Sequence, residues 1–111
     1  TNEAARAASL AQGTLVEAWS PIGRGRILDD PDLLAIAART GRTVAQTILR
    51  WHLQRGDIIF PKSMHPERMR ENIAIFDFTL SDDDMAAISA FDRGEAGRIG
   101  PNPDTFAWIP E

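Results

Sequence analysis

The sequence predicts an α/β fold with two parallel strands, a helical connection between them and helices after the second. Three observations carry that prediction. Two short apolar runs, Thr14–Ser20 and Ile58–Phe60, are rich in β-branched and aromatic residues and are bounded by Gly and Pro. Between them stand two segments with helical periodicity and recognisable caps. A strand–helix–strand connection of that length implies a right-handed parallel crossover.

The elements follow in order. Residues 3 to 12 are alanine-rich, with Arg6 and Gln12 breaking the apolar pattern and Gly13 placed as C-cap, so a helix that begins upstream is expected to end here. Thr14-Leu15-Val16-Glu17-Ala18-Trp19-Ser20 reads as the first strand, closed by Pro21, Gly23 and Gly25. Glycine there permits close backbone approach, and Arg24 and Arg26 supply charge. The glycine spacing is not that of a dinucleotide fingerprint, so the loop alone is a weak phosphate motif. Asp30 and Pro31 open a helix as N-cap and first-turn proline, with Leu33, Leu34, Ala37 and Ala38 expected inside and Gly41 at the end. Thr43-Val44-Ala45-Gln46 has the form of a capping box and starts a helix with Val44, Ile48 and Trp51 on one stripe, stopped by Gly56. Two helices joined by a short turn also suit a helix-turn-helix, which the acidic charge balance weakens. His52 reads as a packed or hydrogen-bonded structural residue rather than a ligand.

The second strand, Ile58–Phe60, lacks alternation and suits a sheet covered on both faces. Pro61-Lys62-Ser63 ends it and a helix opens at Pro66, with Met69, Ile73 and Phe76 on an apolar stripe and Arg68, Glu71 and Asn72 on an adjoining polar face. Two cations, Lys62 and Arg68, thus flank a helix N-terminus just after a strand end, where free N–H groups and the helix dipole favour an anion. That is a phosphate site in outline. The same residues also suit a solvated loop with an ordinary Arg68–Glu71 surface pair, although Lys62 is the only lysine in the chain. Beyond an extended Phe76–Leu80 link, Ser81 is placed to cap a helix with Asp82, Asp83 and Asp84 in its first turn, Leu80 and Met85 forming a hydrophobic staple, and Ile88 and Phe91 continuing inward. Consecutive aspartates fan around a helix, so the triplet reads as capping, not as a metal site. From Arg93 on, Gly and Pro predict a tail without regular structure, its Phe106 and Trp108 expected to fold back over a pocket mouth.

The totals limit function. At 111 residues one small domain is expected, 1–111, with 94–111 as its tail and no repeat or linker. No run approaches a membrane span, and the start lacks the order of a signal peptide. Without cysteine there is no disulfide framework or thiolate metal site, and a reducing cytoplasm is the default. Two histidines are too few for a histidine-based zinc site without carboxylates, and a net charge of -4 argues against nucleic acid. The chain has no tyrosine, so it cannot itself supply a phenolic acid.

Glu17-Ala18-Trp19-Ser20-Pro21-Ile22-Gly23-Arg24-Gly25, Leu49-Arg50-Trp51-His52-Leu53-Gln54-Arg55-Gly56, and Phe60-Pro61-Lys62-Ser63 with Arg68, Glu71 and Asn72 resemble the C-terminal part of the aldo-keto reductases. Trp19, Asp77-Phe78 and Asp92-Arg93-Gly94 are most similar to the bacterial 2,5-diketo-D-gluconate reductase branch. The resemblance implies the last two strands of a (β/α)8 TIM barrel, an incomplete barrel, binding NADP(H). It implies that Trp19 stacks on the nicotinamide and that Ser20, Ile22, Gly23 and Arg24 line the pyrophosphate path. Lys62, Ser63 and Arg68 would hold the 2′-phosphate beside Met64, and Glu71 and Asn72 would face the adenine. The family's catalytic tyrosine, lysine, aspartate and histidine would belong to an N-terminal half of the barrel, and the tail would shape the pocket for a carbonyl substrate. Two readings remain open: the cofactor portion of a reductase needing that N-terminal half, or a noncatalytic partial barrel that self-associates through uncovered strands.

Overall fold

The computed structural model describes residues 2–102 and 104–108. Seven regular elements follow one another: α1 (Glu3–Ala11), β1 (Glu17–Ala18), α2 (Pro31–Thr40), α3 (Val44–Gln54), β2 (Ile58–Ile59), α4 (Pro66–Ile73) and α5 (Asp82–Ser89). Single 3-10 turns stand at Gly23–Gly25 and Gly94–Gly97, so the tail expected to be irregular contains one short helical turn.

Local chemistry explains the helix ends. The Asp30 side chain accepts from the backbone N–H groups of Asp32 and Leu33, and Gly41 closes α2 in the left-handed region. Thr43 and Gln46 form the reciprocal box of α3, and Ser81 and Asp84 that of α5. In α1, Asn2 is the N-cap and Gln12 ends the helix, with Gly13 one residue further on at φ 70°.

The core joins α2, α3 and α5 through Leu33, Ile36, Ala37, Val44, Ile48, Trp51, Leu80 and Ile88. Two expected α2 residues, Leu34 and Ala38, face outward; Ile36 takes the inward place, because the 3.6-residue turn puts Leu33, Ile36 and Ala37 on one side. The Trp51 indole N–H donates to the Met85 carbonyl and to Ser89 Oγ, both at 3.2 Å. Burying one large aliphatic side chain contributes roughly 1.5–3 kcal/mol, so this helical core and not the short sheet dominates stability.

β1 and β2 pair in parallel, Glu17 opposite Ile58 and Ala18 opposite Ile59, and the Ile58 N–H donates to the Val16 carbonyl at 2.9 Å. Both strands are shorter than the apolar runs predict, and the second is not covered on both faces: Ile58 and Phe60 are exposed. Each strand has one strand neighbour only, so among the described residues no further strand pairs with their outer edges. The stripe Met69, Ile73, Phe76 is likewise exposed, and Phe76 lies beyond the helix. Ala74, at ψ 59°, ends α4, and Ile75 is the side chain turned into the core. No helix among the described residues is long and apolar enough to cross a membrane.

Candidate functional site

Parallel pairing in this register sends both strands out at the same edge, so Trp19 leaves β1 beside Phe60 leaving β2. The two following loops are therefore neighbours by construction. In the first, Ser20 and Arg24 have positive φ, 50° and 56°, as do Gly23 and Gly25. Left-handed backbone at non-glycine residues is concentrated here, as at ligand-clamping turns. The Gly23 N–H donates to the Ser20 carbonyl and the Gly25 N–H to the Ile22 carbonyl, each at 2.9 Å, while Ile22 anchors the turn against the core.

Trp19 is 66% exposed, and the Arg24 guanidinium lies 4.8 Å from the centre of its ring. The tail reaches the same ring at Gly100, where a Cβ would stand 3.7 Å from the indole. Phe106 and Trp108, the aromatics expected to cover a pocket, are instead exposed, with ring centres 6.4 Å apart. The tail turn is braced by the Glu95–Arg98 pair at 2.9 Å, and the Arg98 guanidinium holds the Glu95 carboxyl below its usual range. An open cavity of about 920 Å³ is bordered by Trp19, Ser20, Gly23 and Arg26, by α1 and by Gly97–Pro101.

In the second loop Ser63 Oγ accepts from the His65 N–H at 3.1 Å and shapes the entry to α4. No side chain caps α4, and Pro66 occupies its first turn. Lys62, Met64 and Arg68 are exposed around that open end. Among the described residues neither Lys62 nor Arg68 has an acidic partner, whereas Arg6, Arg39, Arg42, Arg55 and Arg98 each do. The surface pair of Arg68 with Glu71 does not form among them. Glu71 is exposed and Asn72 half-buried on the same short helix, whose end is held by Gln46 Nε2 donating to the Glu71 and Ala74 carbonyls at 3.2 and 3.0 Å.

The site thus has an aromatic end bordering the cavity and a cationic end at an uncapped helix. Such an arrangement can hold a flat ring at one end and an anion at the other. Asp84 is engaged with Ser81 and Arg39, and no group of three His, Cys, Asp or Glu that could hold a metal occurs among the described residues. Sequence reasoning missed Asp57, a buried carboxylate 2.8 Å from His52 Nδ1. The signal available was the five-residue spacing across the Gly56 turn.

Residues 9–93 match the Aldo/keto reductase family. The chain belongs to that family. It is 47% identical over 94 residues to an aldo-keto reductase of Mycobacterium sp. strain JLS, a match covering 85% of this chain and 33% of the relative. A glyoxal reductase of Bacillus subtilis strain 168 is 50% identical over 93 residues, covering 84% and 33%. A Gox0644 mutant crystallised in complex with NADPH superposes with a TM-score of 0.91 at 42% identity, covering 96% of this chain and 39% of that one. The chain therefore spans about a third of the length of these curated relatives, and its two parallel strands and flanking helices correspond to part of an aldo-keto reductase barrel.

Proposed function

We propose that this chain is the cofactor-binding portion of an NADP(H)-dependent reductase of aldehydes and ketones, of the 2,5-diketo-D-gluconate reductase branch. The observation that carries the reading is the neighbourhood of the two strand-following loops, an exposed Trp19 on one and, on the other, an uncapped helix where Lys62 and Arg68 have no acidic partner among the described residues. These residues suit a dinucleotide phosphate. Trp19 offers a face to the nicotinamide, Ser20, Ile22, Gly23 and Arg24 form the turn along the pyrophosphate, and Lys62, Ser63 and Arg68, with Met64 beside them, receive the 2′-phosphate. Glu71 and Asn72 stand next to Arg68 for the adenine. When bound, the reduced nicotinamide supplies the hydride. The family resemblance implies a tyrosine as the acid that protonates the substrate oxygen; the chain has none, and in this reading that acid belongs to an N-terminal portion of the barrel. A cytoplasmic location belongs to this reading, since nothing in a cysteine-free chain needs an oxidising compartment.

Titration with NADPH and NADH tests it. NADPH is expected to bind more tightly, and Lys62→Ala or Arg68→Ala to weaken NADPH roughly ten- to hundredfold, the equivalent of one charge-assisted hydrogen bond, while leaving NADH nearly unchanged. Equal affinity for the two cofactors would sink the 2′-phosphate assignment.

The exposed Met69, Ile73 and Phe76 favour a second reading, a partial barrel that associates with its own copies. It differs from the first in predicting association without cofactor.

A further inference from the structure

His52 stands where α3, the approach to β2 and the Trp19–Gly25 loop meet. Its Nδ1 lies 2.8 Å from Asp57 Oδ2 and its Nε2 lies 3.3 Å from the Pro21 carbonyl oxygen. Asp57 is buried, and its other oxygen accepts from the Arg6 guanidinium of α1, which also donates to the Arg55 carbonyl. A carboxylate and a peptide carbonyl can only accept. Both contacts are therefore hydrogen bonds at once only when the imidazole carries both of its protons.

We propose that His52 is a positioning residue for the Trp19–Gly25 loop. Held by Asp57 on one side, it ties the Pro21 carbonyl to the scaffold of α1 and α3, and so sets the direction in which Trp19 and the left-handed turn leave β1. Pro21 directly follows Ser20, whose φ is 50° and whose carbonyl accepts from the Gly23 N–H. A tether at the next carbonyl restrains that strained residue from its other side.

The charged groups around the ring are Asp57 ahead of β2, Arg6 from α1 through Asp57, and Arg55 from the end of α3, which pairs with Glu3 and lies over the Trp51 ring. Asp92 and Arg93 border the same cavity from beyond α5. Asp57 is the nearer acceptor, at Nδ1, and the Pro21 carbonyl faces Nε2, so one ring spans from the scaffold to the loop. The consequence for cofactor affinity rests on the function proposed above; the tie itself does not.

Amide exchange of the ¹⁵N-labelled 111-residue chain tests it. In His52→Phe the protection of the Gly23 and Gly25 amides is expected to fall at least about tenfold, while Ile48 and Leu49 in α3 hold theirs. His52→Gln, whose amide can donate to the Pro21 carbonyl, should keep the protection. Protection of Gly23 and Gly25 unchanged in His52→Phe would overturn the proposal, as would its loss in His52→Gln. If His52→Phe also exposes Ile48 and Leu49, the glutamine variant decides. Failure to bind NADPH, with protection still following His52, would refute the cofactor reading and leave the tie standing. Weakening of NADPH and NADH alike by His52→Phe would support both.

Discussion

Gln46 uses every polar atom of its buried side chain. Its Oε1 accepts from the Thr43 N–H at 3.1 Å, closing the capping box of α3, and its Nε2 donates to the Glu71 and Ala74 carbonyls at the end of α4. One residue therefore starts the helix at the centre of the core and holds the end of the helix carrying Arg68, Glu71 and Asn72. The two roles separate chemically. Gln46→Glu keeps an acceptor for Thr43 but turns an acceptor toward two carbonyls, so the box survives and the α4 docking does not. The expected cost is about 2–3 kcal/mol, two lost hydrogen bonds at about 1 kcal/mol each plus part of the penalty for acceptors left unsatisfied. Amide exchange should rise by more than about tenfold at Met69 and Ala74 and stay low at Gln46 and Thr47. Equal loosening of both helices would mean that the contact merely contributes to general stability.

At the scale of elements, α5 shows how a cap couples to its surroundings. Ser81 Oγ accepts from the Asp84 N–H at 3.2 Å, and Asp84 Oδ2 accepts from the Ser81 hydroxyl at 2.8 Å, while Arg39 of α2 meets the other carboxylate oxygen. The Arg39 guanidinium, and after it the Ser81 hydroxyl, outweigh burial and hold the Asp84 carboxyl below its ordinary 3.8. A carboxyl depressed by folding stabilises the fold fully above its unfolded value, and that contribution is lost as pH falls through the lower folded value. Asp84→Asn is thus expected to cost about 1 kcal/mol near neutral pH, with little added by the solvent-exposed side of Arg39. The difference should shrink once acid protonates the carboxylate, which urea denaturation near pH 7 and at roughly pH 3 would show. Such caps were legible in the sequence because their partners lie within four residues: Asp30 with Asp32 and Leu33, Thr43 with Gln46, Ser81 with Asp84. Strand extent and the burial of Phe60, Ile73 and Phe76 were not, because burial depends on what stands opposite and no local pattern encodes that. The candidate site divides the same way. Trp19, Lys62 and Arg68 could be named from their motifs, whereas the contact of His52 with Pro21 spans 31 positions and Asp57 carries no motif.

For the whole molecule, one group of exposed apolar side chains shares a placement. Leu15, Phe60, Met69, Ile73 and Phe76 stand on or beside β1, β2 and α4, and among the described residues no further strand pairs with either outer edge of the sheet. Apolar surface next to unpaired strand edges drives association, because both the hydrophobic and the backbone hydrogen-bonding potential remain unused. Sedimentation equilibrium of this chain should therefore show a mass that rises with concentration in the absence of cofactor. Two sets of substitutions tell the contributions apart. Charges on α4, Ile73→Glu with Phe76→Glu, should lower the association constant by at least about tenfold if the helix face dominates, without loss of helical circular dichroism. Phe60→Lys should do so instead if the edge of β2 dominates, since a lysine there blunts strand pairing. A chain that remains monomeric over the whole range would show that neither surface draws a second copy and would overturn the self-associating reading.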